Sequence, residues 1–446
     1  MARAHARGRR GGGVGVGVGL LAAAAYAASL LGLAPAARPA LDHFPLLGPA
    51  EREAQALAHD LLKGPGFNAG DGYPHIWIRD LSTFIEVALD AGNPAALARD
   101  ALVGFLCRQS PEGEVPDGYM PKRGEPACAG AQPFPPGSLG PCITSTDVCK
   151  NDAETDQETS LVYAVATYVR STNDVAFLGA DVNGTSVLER LEGALEWLVA
   201  RRTDAATGLL WGGTTVDWGD VQVEADIPDV RMLAPQSHPA IDPYDNALFA
   251  RALQAVVEMR TLARAAGLAV RPRRGMKGDG FFEERLKAVR RAIRARLYRG
   301  GGRFRPHLYM DAEGAAAAAK MAGHGSFRNG SPFPALGGNN ESRVSAHGGA
   351  ACVALGAGVL SAAEVAEVGK VHAADAREVN SGGGDVTVGI TVWPPYNGTA
   401  APIEPWQYQN GGDWSWFGTL PPPSRLPPAP LPPSPPAPCP RPPHRH

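Results

Sequence analysis

The sequence predicts an all-α domain whose helices are separated by long polar loops, and two observations support this fold class. Apolar residues recur at intervals of three and four along most of the chain, which is the spacing of amphipathic helices; alternating strand patterns are few and short, with 386–392 the clearest. Loops of roughly 15 to 45 residues separate many of the helices, and connections of that length are usually either functional or disordered.

The apolar positions predict nine helices in chain order. They run through the apolar residues of 54–61, 81–88, 97–105, 161–168, 188–198, 248–262, 282–293, 344–357 and 361–374. The helix at 188–198 has the cleanest periodicity, because leucine recurs there every three or four residues. Ser361 and Glu364 open the last helix as a capping box.

The composition excludes two broad classes of protein. The 446 residues include 42 Lys and Arg against 45 Asp and Glu, a net charge of −3, so a polybasic nucleic-acid binder is excluded and no nucleic-acid partner is expected. The hydrophobic fraction of 44% excludes a chain that is disordered throughout. The length allows either two to three domains or one large toroid or barrel.

The first 40 residues read as a targeting segment. Arginines in residues 1–10 precede an uncharged run, 11–37, which predicts a cleaved signal peptide or a membrane-anchoring signal anchor, with an organellar transit peptide as the alternative. The expected location is therefore the secretory pathway or the extracellular space, or else an organelle. Glycosylation sequons, which support secretion weakly, begin at Asn183, Asn329, Asn340 and Asn397.

The other end is rich in proline, which leaves residues 41–418 as the folded domain. Residues 419–446 hold 14 of the 41 prolines, and such a segment is extended polyproline or disordered. It reads either as a linker or as a ligand for a proline-recognition domain.

Cys107 and Cys352 lie in helical patterns and are expected to be buried thiols, whereas Cys128, Cys142 and Cys149 cluster where a disulfide could form. The CxxC and CxxxH spacings of a zinc site are missing, so no structural zinc is expected, and no residue is assigned as a metal ligand.

Four segments between the helices combine carboxylates with aromatic residues. The first is 72–80, in which Trp77, Arg79 and Asp80 suit a polyhydroxylated ligand, although Asp80 could instead be a helix N-cap. The second is 151–158, whose four carboxylates exceed what capping needs and are compatible with sugar contacts or an oxygen-rich calcium site.

The third and fourth segments supply most of the remaining candidate residues. The third runs from 211 to 220 and continues at 242–246; the fourth comprises 393–396 and 404–416. Tyr and Trp have polar tips that seek partners, so this density of rings is hard to explain by packing. The candidate ligand-binding residues here are Trp218, Asp245, Trp406, Gln409, Asn410, Asp413 and Trp414.

Separated pairs of carboxylates fit glycoside hydrolysis, which needs one acid to protonate the leaving oxygen and one base to activate water, or a nucleophile. Serine-hydrolase, cysteine-hydrolase, P-loop and dinucleotide-binding motifs are missing from the sequence, and no cofactor is expected.

Three motifs in this order resemble the six-hairpin glycosidase superfamily, which includes glucoamylases, trehalases, neutral invertases and processing α-glucosidases. They are W-I-R-D at 77–80, the acidic tryptophan loop at 217–220 and Y-Q-N-G-G-x-W at 408–414. The resemblance covers about residues 50–418 and implies an (α/α)6 toroid, incomplete here with about nine to eleven helices. It also implies an inverting glycosidase that acts on α-glucoside-type oligosaccharides or glycans, with a carbohydrate substrate.

The resemblance further implies roles for individual residues. Trp77, Arg79 and Asp80 would line the terminal sugar subsite. The general acid would come from the loop that offers Asp217 and Asp220, with Asp220 preferred, and the base would be Glu404, with Asp413 as its rival. These roles are expectations from the motif positions in this sequence.

The sequence departs from the family pattern at its C-terminal end. The polyproline segment follows directly after residue 418, where relatives continue with at least one more helix, and Gln407 stands where some relatives have Glu. A catalytically inactive carbohydrate-binding homologue therefore remains an alternative. A helical toroid of another class, such as a terpenoid cyclase, is a further one, although its metal-binding D-D-x-x-D motif is missing.

Overall fold

The computed structural model describes residues 67–68, 74–121, 126–128, 131, 148–216, 218, 222–270, 280–334, 340–384, 386, 389–399 and 403–414. The predicted helix at 54–61, the leader and the proline-rich tail lie outside the described residues. The α-helices of the described part are α1 (Ile78–Asp90), α2 (Ala95–Arg108), α3 (Gln157–Thr172), α4 (Val187–Arg201), α5 (Pro243–Ala265), α6 (Phe281–Ala292), α7 (Ala312–Ala322), α8 (His347–Gly356) and α9 (Ala362–Ser381).

The prediction of an all-α domain is confirmed, and eight of these nine described helices coincide with predicted ones. The helix that the sequence pattern missed is α7, whose alanine run offers no alternation of apolar and polar positions. Asp311 accepts a hydrogen bond from the Gly314 N–H at its start, and Gly323 ends it with a positive φ of 80°. Capping and the high helix propensity of alanine account for α7 where periodicity does not.

The helices pack as successive hairpins, and the first helices of the hairpins pack against one another. Thus α1 contacts α3, α3 contacts α5, and α5 contacts α8, while α2, α4, α6 and α9 each return against the first helix of their pair. This arrangement matches an incomplete (α/α)6 toroid. The N-terminal ends of α1, α3, α5 and α8 are therefore the positions at which loop residues from distant parts of the chain can meet.

Local signals set where several of these helices begin. Ser186 and Glu189 form a capping box at α4, and Ser361 and Glu364 form the predicted one at α9. At α5, the Asp242 side chain accepts a hydrogen bond from the Asp245 N–H, and Pro243 occupies the first helical position, where its missing N–H costs nothing.

Short strands tie the loops together. They are β1 (Ile76–Trp77), β2 (Gly118–Tyr119), β3 (Val148–Cys149), β4 (Asp181–Val182), β5 (Thr185–Ser186), β6 (Gly212–Gly213), β7 (Pro239–Ile241), β8 (Tyr298–Gly300), β9 (Arg303–Phe304), β10 (Leu308–Tyr309), β11 (Ser345–Ala346) and β12 (Val392–Trp393). The described strands form sheets of order β1-β2-β3 and β10-β7-β6 and the pairs β4-β5, β8-β9 and β11-β12, all antiparallel. Three of them, β1, β7 and β11, lie just before the first helix of a hairpin, and β2, β6, β10 and β12 pair with those three.

The main core lies between the helices, and a smaller second core lies under the loops. The second core contains Val216, Val223, Phe333, Val344, Val392, Tyr396 and Ile403. A disulfide joins Cys107 to Cys128, with their Cα atoms 5.7 Å apart, so the expectation of a thiol at Cys107 is wrong: the loop after α2 returns to the helix. Cys352 is buried, as expected. Within the described residues, none of the helices combines the length and apolar character that a membrane span requires.

Candidate functional site

Arg79 is presented at the very start of α1. The strand β1 pairs with β2 and ends at Trp77, so that the helix begins at Ile78 and Arg79 is its second residue. Asp80 is the third residue of the helix, and no side chain caps this end, so the alternative that Asp80 is the N-cap is wrong. The Arg79 side chain is 12% exposed, which makes its ion pairs largely buried.

Arg79 binds two carboxylates that precede α3, and Tyr244 from α5 joins them. The Arg79 Nε donates to Asp156 Oδ2 at 2.6 Å, and Nη2 forms an ion pair with Glu154. The Tyr244 hydroxyl donates to the same Asp156 oxygen at 2.9 Å. We call Arg79, Glu154, Asp156 and Tyr244 the arginine cluster. It brings together the starts of three hairpins.

Two carboxylates of the second acidic segment thus pair with Arg79 and do not cap their own helix. Asp156 occupies the N-cap position of α3, but its side chain makes no capping hydrogen bond. Glu154 accepts from the Asn151 amide at 3.0 Å and from the Gln157 amide at 2.8 Å, which fixes its orientation. The sequence predicted more carboxylates here than capping needs, and the ion pairs of Glu154 and Asp156 with Arg79 account for two of them.

Asp245 lies behind this cluster, in the first turn of α5. It is buried and accepts a hydrogen bond from the Thr155 hydroxyl. Burial raises the pKa of Asp245 well above its usual range, and the charges of Asp242 and Asp156 raise it further. The neutral form of the Asp245 carboxyl is therefore favoured. Through Thr155, this predicted ligand-binding residue joins the second acidic segment to α5.

Two tryptophans bring the remaining motif segments to the arginine cluster. The Arg79 guanidinium carbon lies 5.6 Å from the centre of the Trp218 ring, within the range of a cation–π contact. The Trp218 and Trp414 rings meet edge to face, with their centres 5.2 Å apart. Trp77 is half-buried beside Arg79 in sequence. Residues of all four predicted segments therefore meet here.

The other predicted residues lie on the loop that leads to Trp414, where some are exposed to solvent and others are buried. Trp406 is 52% exposed, and Glu404 and Asp413 are also exposed; Asp413 accepts a hydrogen bond from the Gly389 N–H at 2.7 Å. Gln409 and Asn410 are fully buried. The Asn410 amide bonds the backbone of Tyr396 and Ile403, so this side chain shapes the loop.

A second group of titratable residues lies under the loops before α5 and α8. Glu341 Oε1 accepts hydrogen bonds from the Tyr309 hydroxyl at 2.8 Å and the Tyr396 hydroxyl at 2.9 Å, and it lies 2.8 Å from His307 Nδ1. Glu224 is 5% exposed, and its Oε1 lies 3.9 Å from His238 Nε2. We call these six residues the glutamate cluster.

The two carboxyls of the glutamate cluster are shifted in opposite directions. Burial raises the pKa of Glu224 to about 7, and backbone N–H groups offset this only in part. Burial also acts to raise the pKa of Glu341, but the bonds from His307, Tyr309 and Tyr396 outweigh it, so that the pKa of Glu341 is lowered. The hydrogen-bond donors around each carboxyl therefore decide whether its pKa is raised or lowered.

Several predicted residues remain predictions. Asp217 and Asp220 lie outside the described residues, although Trp218 between them is described. The roles of Glu404 and Asp413 as base, and those of the predicted sugar-binding residues, rest on their motif positions. Among the described residues, no group of three or more His, Cys, Asp or Glu side chains is arranged to hold a metal ion.

Sequence reasoning overlooked the site roles of Asp156, Glu154, Tyr244 and the glutamate cluster. The excess of carboxylates in 151–158 is the one signal that pointed toward the first two. Tyr244 stands beside the predicted Asp245 and could have been included on that basis. Nothing in the residues around Glu224 or Glu341 marks them, because their environment is made by contacts between distant loops.

The arrangement can bind a neutral ligand rich in hydroxyl groups. The arginine cluster holds a guanidinium fork, carboxylate acceptors and a phenol in fixed positions, and the rings of Trp218 and Trp414 add apolar faces. Such a combination can bond the hydroxyls of a sugar and cover its C–H faces.

No protein-family model matches the chain, and no curated protein sequence does. Among solved structures, the chain is similar to a rhamnosidase from Klebsiella oxytoca with rhamnose bound, at 13% identity over 71% of this chain and 45% of that one, with a TM-score of 0.41. It is also similar to the GH63 mannosylglycerate hydrolase from Thermus thermophilus in complex with glucose, at 15% identity over 80% of this chain and 82% of that one, with a TM-score of 0.42.

The same hydrolase in complex with Tris gives 16% identity over 81% of this chain and 83% of that one, with a TM-score of 0.43. The chain therefore spans 45% of the rhamnosidase's length and more than four fifths of the hydrolase's. These proteins are glycoside hydrolases, in agreement with the resemblance carried by the motifs.

Proposed function

We propose that the protein is a glycoside hydrolase that acts on α-glucoside-type oligosaccharides or glycans by an inverting acid/base mechanism. One observation carries the proposal: residues from four separated segments that each combine carboxylates with aromatic rings meet around Arg79. A guanidinium held by two buried carboxylates beside two tryptophans is suited to the terminal sugar of such a substrate.

The proposed catalytic groups are neighbours, in sequence, of the rings at this site. Asp220, or alternatively Asp217, would protonate the leaving oxygen; Trp218, which lies between them in sequence, contacts Arg79. Glu404, or alternatively Asp413, would activate water; Asp413 directly precedes Trp414. Inversion would require the two carboxyls to stand roughly 6.5–9.5 Å apart, which leaves room for the water.

We also propose that the protein enters the secretory pathway, with an organelle as the alternative. The uncharged run 11–37 supports this proposal, and so does the exposure of all four sequon asparagines, Asn183, Asn329, Asn340 and Asn397.

The test is hydrolysis of a substrate panel by the purified full chain. We expect glucose release from at least one of maltose, trehalose, sucrose and a glucosylated glycan, with the β-anomer of glucose formed first, as NMR would detect. Asp220→Asn should lower kcat by about 10²–10⁴-fold with little change in ligand affinity. The control Asp226→Asn changes an exposed carboxylate of the same loop and should leave kcat unchanged.

A loss of binding in Asp220→Asn would contradict the role of Asp220 as acid. The second candidate function is an inactive carbohydrate-binding homologue, which Gln407 favours because some relatives have Glu at that position. That alternative predicts sugar binding by calorimetry without turnover of any substrate in the panel.

A further inference from the structure

A row of aromatic rings leads from the arginine cluster outward. Trp218 touches Arg79 and is 7% exposed; Trp414 follows at 5.2 Å, and Tyr408 lies 5.4 Å beyond Trp414 and is 38% exposed. Trp406, on the same loop, is the most exposed large apolar side chain of the described residues, at 52%. A second ring, Trp393, lies 5.6 Å from Trp406. We call these five rings the aromatic row: it comprises the contacting series from Trp218 through Trp414 to Tyr408, and the pair of Trp406 and Trp393.

The loop holds its two exposed rings in an unfavourable backbone conformation. Trp406 and Tyr408 have positive φ values of 70° and 44°, which bulky residues rarely adopt. Strain of this kind persists only where the surroundings enforce it, and it concentrates at functional sites. The backbone that carries these two exposed rings is therefore fixed by its surroundings before any ligand arrives, which lowers the entropic cost of binding.

Asn410 supplies much of that enforcement. Its amide nitrogen donates to the carbonyls of Tyr396 at 2.8 Å and Ile403 at 2.7 Å, and its amide oxygen accepts from the Tyr396 N–H at 2.8 Å. Its backbone carbonyl accepts from the Trp406 N–H at 2.7 Å. One buried side chain thus anchors the loop at both ends.

The chemistry of the row selects the class of ligand. Adjacent exposed rings form an interaction patch rather than isolated surface residues. Residues 403–414 carry two carboxylates, Glu404 and Asp413, and no Lys or Arg, so an anionic ligand is disfavoured. Flat rings with polar edges suit the C–H faces and hydroxyl rims of neutral sugars.

We propose that the aromatic row is the binding track for a neutral oligosaccharide whose terminal residue lies against Arg79, so that the substrate is a chain of several sugars and not a disaccharide. This inference rests on the proposed function. It is favoured over other occupants by the continuity of the row with the arginine cluster through Trp218.

The experiment measures affinity and kcat/KM against chain length for the full protein, with maltose through maltoheptaose as probes. We expect both to rise with length in the parent protein. Trp406→Ala and Tyr408→Ala should each weaken binding of maltoheptaose by about tenfold and that of maltose much less. Leu97→Ala is the matched control, because Leu97 is a similarly exposed apolar side chain on α2.

Different failures are distinguishable. Turnover of disaccharides with no gain from chain length overturns the track and leaves the proposed function intact. A lack of both sugar binding and turnover overturns both proposals. If removal of residues 419–446 exposes Trp406 to acrylamide quenching and sugars do not protect it, the row is covered by this chain's own tail. If Trp406→Ala abolishes a concentration-dependent dimer, the row is a self-association surface. Either result overturns the proposal.

Discussion

The arginine cluster and the glutamate cluster both bury carboxylates at the loop ends of the helices, but they stabilise them differently. In the arginine cluster, Glu154 and Asp156 share one guanidinium, and the Tyr244 hydroxyl adds a further donor. In the glutamate cluster, Glu341 relies on hydroxyl and imidazole partners, while no side chain in the described part of the chain donates a hydrogen bond to either oxygen of Glu224.

The difference shows which region responds to pH. A buried carboxylate with a guanidinium beside it retains its counter-charge at all ordinary pH values, because arginine does not deprotonate. A buried carboxyl that lacks side-chain donors is more stable when neutral, so the pKa of Glu224 is about 7. The stability that the arginine cluster contributes should therefore depend on Arg79, whereas the stability that the glutamate cluster contributes should depend on pH.

The largest effect is expected from Arg79→Met. The substitution leaves Glu154 and Asp156 buried without their guanidinium, which should lower the free energy of unfolding by about 3–5 kcal/mol. Urea denaturation measures this change. The double variant Arg79→Met with Asp156→Asn should recover part of the loss, because it replaces one of the two buried carboxylates that lack a guanidinium with a neutral amide.

Arg294→Met is the control for this prediction. Arg294 forms a similar bidentate pair with Glu364, but that pair is exposed, so a much smaller loss is expected. Equal losses in Arg79→Met and Arg294→Met would contradict the view that burial makes the arginine cluster sensitive.

The sequence predicted most of the helices because their apolar residues face one core. Leu188, Leu191, Leu195 and Leu198 are all buried on one side of α4, as their spacing requires. The helix α7 was missed because nearly every position of its alanine run is equally apolar. Cys107 was misjudged because its disulfide depends on the path of the loop to Cys128 and not on the helical pattern around it.

The candidate site was predictable only as separate halves. The motif 77–80 identified Arg79, and the density of carboxylates drew attention to 151–158, but their pairing depends on how α1 lies against α3. Arg79 and Asp156 are 77 residues apart, and no local pattern fixes that approach. Glu224 shows the limit more clearly, since its pKa is raised by burial, and that burial depends on how distant loops pack.

The next largest effect is the pH dependence of Glu224→Gln. The pKa of Glu224 is about 7 in the folded protein and near 4.5 when unfolded, so the folded state binds the extra proton between these values. The parent protein should lose roughly 2–3 kcal/mol of stability from this group as pH rises from 5 to 7.5, and Glu224→Gln should not. Thermal or urea unfolding of both proteins across this range measures the difference.

Glu341→Gln provides a control for which the opposite dependence of stability on pH is expected. The folded pKa of Glu341 is lowered, so its contribution to stability is present above its unfolded pKa and is lost as pH falls. The destabilisation by Glu341→Gln should therefore shrink toward acid pH. If the Glu224→Gln difference were independent of pH, Glu224 would not titrate as a buried, donor-poor carboxyl.

The smallest expected effect comes from Tyr396→Phe, which removes one donor from Glu341 and leaves the ring in place. The stacked contact with Phe333, with ring centres 3.8 Å apart, is retained, so the change isolates a single hydrogen bond. Stability should fall by about 1 kcal/mol, as urea denaturation would show. With one donor fewer, the pKa of Glu341 should also rise toward its unfolded value, so less stability should be lost as pH falls than in the parent, and the loss should end at a higher pH. Tyr298→Phe, on a half-buried ring that packs against Phe304, should cause neither change. If Tyr396→Phe left the acid-induced loss of stability unchanged, the contrast between Glu341 and Glu224 would have to come from burial alone, because the number of donors would then have no effect on the pKa of Glu341.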